Sequence, residues 1–183
     1  NRAELVRVRW TSEVASWVPV SISVGMSTPT ETATATATET IPGSWKAGVA
    51  GGLGGGLGFG MLMTMMMPNI LETAIPVMYG IEGPAGGVGW VIHMIHAAIL
   101  GVVFAALLGG AGFAGASVQR QLGAGIAYGL VLWIVLATFV MPAWVGAMGP
   151  MAPPVPDVNP MSAVGHVVYG AILGGVYHAL EGL

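Results

Sequence analysis

The chain has 183 residues, 55% of them hydrophobic and only 7% charged, with a formal net charge of -3. A soluble domain of this size could not cover its surface with so few charges, so the solvent for most of the chain is lipid. There is no cysteine, which excludes disulfides, thioether-linked haem and thiolate metal centres, and no basic patch offers itself to nucleic acid.

Residues 1–25 carry Arg2, Arg7 and Arg9 without the apolar core of a signal peptide, and Met26 follows them. This stretch is expected to be upstream sequence translated in error. Residues 26–44, with the run TATATATET, have little apolar bulk and no helical period, and are expected to form a disordered tail.

Four windows then supply the roughly 20 apolar residues that a helix needs to cross a bilayer core: Trp45 to Met67, Val88 to Leu108, Leu122 to Met141 and Ser162 to Leu180. They read as one hairpin written twice, residues 45–109 and residues 122–181. MLMTMMMP from Met61 matches VLATFVMP from Val135, and HMIHAAILGVVFAAL from His93 lies over HVVYGAILGGVYHAL from His166. The expected fold is all-α: a four-helix polytopic membrane protein built as a parallel repeat about an axis along the membrane normal. Pro68 and Pro142, at matched positions, are expected to stop the first and third helices.

Lys46 precedes the first span and Arg120 lies between the second and third. The other two connections hold Glu72, Glu82 and Asp157 without Lys or Arg. The positive-inside rule therefore places both chain ends in the cytoplasm, with Trp45, Trp90 and Trp144 as interfacial indoles. The outer connections are rich in proline and glycine and could cap that face or dock a partner.

Apolar burial gives no net drive inside lipid, so helix association must come from close packing. Gly48, Gly52, Gly56 and Gly60 form one stripe on the first helix, and Ala97, Gly101, Ala105 and Gly109 repeat the spacing on the second. In the fourth, Gly170 and Gly174 match Ala97 and Gly101. Packing is the favoured role of these stripes over a ligand groove. GGLGGGLGFG from Gly51 is no dinucleotide loop, because no strand precedes it.

The histidines have the strongest claim to chemistry, since imidazole within a span is costly. His93 and His166 are equivalent in the two halves and should lie at one depth, with His96 one turn below His93; His178 falls near the other end. The pair could ligate b-type haem axially, with His96 nearby, or hold a metal or line a proton path. The competing role is an interhelical hydrogen bond, with Thr64, Thr138 or Tyr169 as partner. Met61, Met65 and their neighbours crowd the same depth and could join His93 and His166 around copper, although methionine more commonly fills irregular apolar space. Paired carboxylates, HExxH, GxSxG and Walker motifs are all missing, so no enzyme is expected.

The segments IPGSWKAGVAGG, MMMPNILE, VIHMIHAAILGVVFAALL and HVVYGAILGGVYHAL resemble those of small four-span membrane proteins of uncharacterised function from halophilic archaea, over about residues 26–183. That resemblance implies the fold and the host, and no activity. Such proteins are sometimes labelled histidine kinase, but this chain carries neither an ATP-binding domain nor an exposed coiled-coil histidine followed by an acid.

The expected function is that of a non-enzymatic component of the bilayer: a small accessory subunit or a modest transport unit, working beside a membrane-protein partner or as a homo-oligomer. The alternative is an electron carrier holding haem b or copper through His93 and His166.

Overall fold

A computed structural model of the protein describes residues 43–151 and 153–182. The expectations for residues 1–25 and for the tail as far as residue 42 lie outside the described residues. Gly43 and Ser44, assigned above to the tail, are instead docked: the Ser44 N–H donates to the Tyr177 hydroxyl at 3.2 Å, and the Ser44 side chain caps the first helix by accepting from the Ala47 N–H.

Helix α1 runs Trp45–Met66 and ends just before Pro68. A π-helical turn, Ile70–Ala74, and the short α2, Ile75–Val77, fold back over the bundle end. Helix α3, Gly86–Gly110, returns and stops in a Schellman turn: Gly112 takes φ +72, and the Phe113 N–H reaches the Leu108 carbonyl at 2.8 Å. The third span is continuous from α4, Val118–Leu132, through a π-helix, Trp133–Val140, into α5, Met141–Met148. Helix α6, Pro160–Leu180, starts with Asn159 accepting from the N–H groups of Met161 and Ser162, and with Pro160 where no N–H is needed. Among the described residues four helical spans, of 22, 25, 31 and 21 residues, are long and apolar enough to cross a membrane.

Pro142 corrects one sequence expectation, because the third span does not stop there. An interior proline frees the carbonyl four residues back and clashes with it in a regular helix. Here the backbone is already π-helical over that turn, and the freed Thr138 carbonyl accepts from the Asp157 N–H at 2.9 Å. Pro76 is accommodated in the same way, with the Glu72 carbonyl accepting from the Ala85 N–H at 2.8 Å. Both Pro-rich connections are thereby pinned to helices by backbone hydrogen bonds, and parts of what reads as loop are helical.

The spans pack in the spatial order α3, α1, α6, α4. Glycine explains the inner contacts. On α1, Gly48 and Gly52 face the backbone of Gly101 and Ala97, Gly56 faces the Ala97 methyl, and Gly60 is covered by the Trp90 indole. Gly51 and Gly55, on the other side of α1, meet Leu173 and Tyr169 of α6. In the second half, Gly125 faces the Gly170 carbonyl and Gly174 Cα, just as Gly52 faces the Ala97 carbonyl and Gly101 Cα. The central pair, α1 and α6, has lower mean hydropathy than the flanking spans. The flanking spans carry exposed bulk on the outside, such as Val91, Ile95, Leu107 and Ile134. Trp90, expected at the interface, is half-buried as a packing residue against Gly60 and His93.

A strict twofold arrangement would pair α3 with α4 as it pairs α1 with α6. Instead α3 and α4 scarcely touch, and space is left between them.

Candidate functional site: a cavity between the flanking spans

That space is a cavity of about 740 Å³ in the half of the bundle capped by the Pro-rich connections. All four spans contribute to its wall. Phe59 and Met63 come from α1, His93, His96 and Ile99 from α3, Leu132, Leu136 and Val140 from the third span, and Ser162, His166 and Tyr169 from α6. The connections add Asp157 and Asn159 at the capped end.

Phe59 organises the interior. Its ring lies against the bare backbone of Gly165 in α6, which is why a glycine is required there. It also touches both matched histidines, with ring centroids 5.8 Å from His93 and 4.7 Å from His166. The two imidazoles are therefore brought to one aromatic group at one end of the bundle. Their hydrogen bonds differ. His93 Nε2–H donates to the Gly56 carbonyl of α1 at 2.8 Å, whereas His166 Nδ1–H turns back to the Ser162 carbonyl of its own helix at 2.8 Å. A carbonyl can only accept, so the bonded nitrogen carries the proton in each ring, and the two histidines hold opposite tautomers. His166 Nε2 has no partner among the described residues.

Other groups expected near the pair go elsewhere. Thr64 is exposed and bonds its own helix at the Gly60 carbonyl, and Thr138, though buried, bonds its own helix at the Trp133 carbonyl. The Tyr169 hydroxyl donates to the Ala97 carbonyl at 2.8 Å, tying α6 to α3. Met61 and Met65, proposed above as thioether ligands, are 57% and 80% exposed and point away from the bundle, while Met63 and Met67 line the cavity. On a helix, alternate residues cannot share a face, and the Met cluster covers more than one. His96 is hydrogen-bonded through Nε2 to the Tyr79 hydroxyl. Among the described residues no three His, Asp or Glu side chains are grouped to hold a metal ion.

The cavity has a side opening. Ile99 of α3 and Val140 of the π-helix both line it and are 56% and 42% exposed, Ile99 at mid-length of its span and Val140 nearer the capped end of its own. Towards the chain ends the gap is closed by Tyr128, whose hydroxyl donates to the Leu100 carbonyl at 2.9 Å. Towards the connections it is bridged by Tyr79, whose ring packs on both His96 of α3 and Trp144 of α5.

His178 belongs to a separate network at the opposite end, whose centre, Gln121, carries no motif in the sequence. Gln121 is fully buried. Its amide donates to the Phe113 carbonyl and the Glu181 carboxylate, at 3.0 and 2.7 Å, and its oxygen accepts from His178 Nδ1 at 3.0 Å. Glu181 also accepts from the Gly115 N–H, so this network anchors the 111–117 connection to the end of α6. A lone glutamine near a span end could have been singled out by the cost of burying an amide in lipid.

No protein family, no curated protein sequence and no solved structure matches the chain.

Proposed function

We propose that this protein is a non-enzymatic membrane component, an accessory or transport unit that holds a small, largely apolar molecule within the capped half of its bundle. The observation that carries this reading is the cavity of about 740 Å³, which falls in the usual range of small-molecule sites, roughly 300–1,000 Å³. Its wall is aliphatic and aromatic apart from a few polar groups, the composition such sites share.

Two halves derived from one hairpin account for the architecture. The equivalent glycine contacts support this, and so does a one-residue shift: Gly52 and Gly125 lie one residue closer in sequence than Thr64 and Thr138. A π-helix accommodates an extra residue within a helix, and the Trp133–Val140 stretch stands where that residue must be absorbed. Lys46 and Arg120 lie at the same end of the bundle, which by the positive-inside rule faces the cytoplasm. The cavity then opens in the outer half.

The test is co-purification. Protein extracted in mild detergent should carry a defined apolar molecule, found by mass spectrometry of its organic extract. Ala137→Phe, which puts a ring into the cavity wall, should lose it. Extracts from the two proteins that contain only the same bulk lipids would refute the reading.

A second reading, redox or copper chemistry at the histidine pair, is favoured by one feature. A ring whose Nδ1–H is held by a carbonyl while Nε2 is free, as at His166, is the usual posture of a metal-ligating histidine. Thioethers of Met63, Met67 and Met141 line the same cavity. A visible spectrum, oxidised and then reduced, and stoichiometric Cu(I) retention test it. A featureless spectrum with no retained copper removes it.

A further inference from the structure

The open side of the cavity and the posture of His166 together point to a ligand class. We infer that the cavity takes from the bilayer a neutral molecule with an apolar body and a hydroxyl head, which donates its hydrogen bond to His166 Nε2. The inference rests on the cavity reading above and adds the ligand's chemistry and source.

The source follows from the position of the opening. Ile99, exposed at its edge, lies at mid-length of α3, and Val140 lies a little over two helical turns inside the end of the long third span, so the entrance faces acyl chains rather than water. Tyr128 closes the gap on the side of the chain ends, and the Tyr79, His96 and Trp144 rings bridge it on the side of the connections. A molecule must be bilayer-soluble to arrive by this route.

The head group follows from hydrogen bonding. His166 spends its only N–H on the Ser162 carbonyl, so in the neutral ring Nε2 offers a lone pair and no proton. The Asp157 carboxylate, also in the lining and without a partner among the described residues, is a second acceptor, while the N–H groups of the lining Asn159 amide and Trp144 indole are donors that a hydroxyl oxygen can meet. Ligand carbonyls and ethers bring no donor for either acceptor, whereas an alcohol or phenol does. The neighbouring Phe59 ring, at 4.7 Å from His166, gives the hydroxyl's carbon skeleton an apolar face to lie on.

The experiment measures equilibrium binding of p-octylphenol and its methyl ether, p-octylanisole, to protein in lipid nanodiscs, corrected by empty nanodiscs. The two probes differ only in the donor. The phenol should bind about tenfold more tightly than the ether, the worth of one buried hydrogen bond. In His166→Phe that preference should vanish while the ether's affinity is kept, and Ala137→Phe should abolish binding of both. Equal binding of phenol and ether, or a preference that survives His166→Phe, overturns the head-group assignment. If Ala137→Phe still abolishes binding in that case, the cavity reading stands. If neither probe exceeds empty nanodiscs, or Ala137→Phe changes nothing, both fall. The phenol and ether comparison uses the unaltered protein, so equal binding overturns the assignment even where His166→Phe does not assemble.

Discussion

Gly101→Ala is the sharpest perturbation of the packing, because the added methyl would meet backbone that cannot rotate away. A Cβ at Gly101 lies 2.8 Å from Gly52 Cα and against the Gly48 carbonyl, both on α1. Relief requires α1 and α3 to separate by about 1 Å, a gap that forfeits a quarter to a half of each contact at the seam. With on the order of 20 atom pairs at 0.1–0.2 kcal/mol each, that loss and the residual strain come to about 1–3 kcal/mol. Against it stands the intrinsic gain of replacing a helical glycine by alanine, about 0.5–1 kcal/mol. The matched control is Gly175→Ala in α6, where nothing lies within 4 Å of the new methyl, so that variant keeps the gain without the clash. Reversible unfolding in mixed micelles, followed by far-ultraviolet circular dichroism, should therefore rank Gly175→Ala at or above the unaltered protein, with Gly101→Ala below it. If Gly101→Ala is as stable as Gly175→Ala, the close approach of α1 and α3 is wrong.

Three further outcomes follow from named contacts. Gln121→Leu leaves the Phe113 carbonyl, the Glu181 carboxylate and His178 without their shared partner, and should cost about 1–3 kcal/mol in the same unfolding assay; an unchanged midpoint would show the network to be idle. The amides of Asp157 and Ala85, in Pro-rich connections, should exchange hydrogen slowly because each is bonded to a carbonyl freed by a proline. Exchange of Asp157 as fast as that of exposed Val155 would remove that account. Ile99→Trp, at the side opening, should slow release of p-octylphenol severalfold with little change in equilibrium affinity, and an unaltered release rate would place the entrance elsewhere.

Much of the architecture was legible because lipid imposes a one-dimensional rule: a span must satisfy its own backbone, and only a long apolar helix does so. The four spans and the end of α1 at Pro68 could be read from residue order alone. The third span could not, because Pro142 is a stop only if its freed carbonyl has no partner, and the partner, the Asp157 N–H, arrives from the following connection. The site was legible in half. His93 and His166 could be expected at one depth, and both line the cavity beside Phe59, but their opposite tautomers are set by which carbonyl each reaches, Gly56 across a helix seam or Ser162 along its own.

Phe59 and Gly165 were silent in the sequence for the same reason. A phenylalanine in an apolar helix and a glycine among thirty carry no signal until one is seated on the other. Met61 and Met65 were misplaced because proximity along a helix says nothing about face unless the buried side is known. What the residue order determined by itself was the solvent, the number of spans and the small-residue positions where helices can meet, since these depend on local composition. What only the tertiary structure decided was which seams formed. α1 closes on α6 whereas α3 and α4 stay apart, and that departure from twofold packing, a balance of contacts between distant residues, is what leaves the cavity.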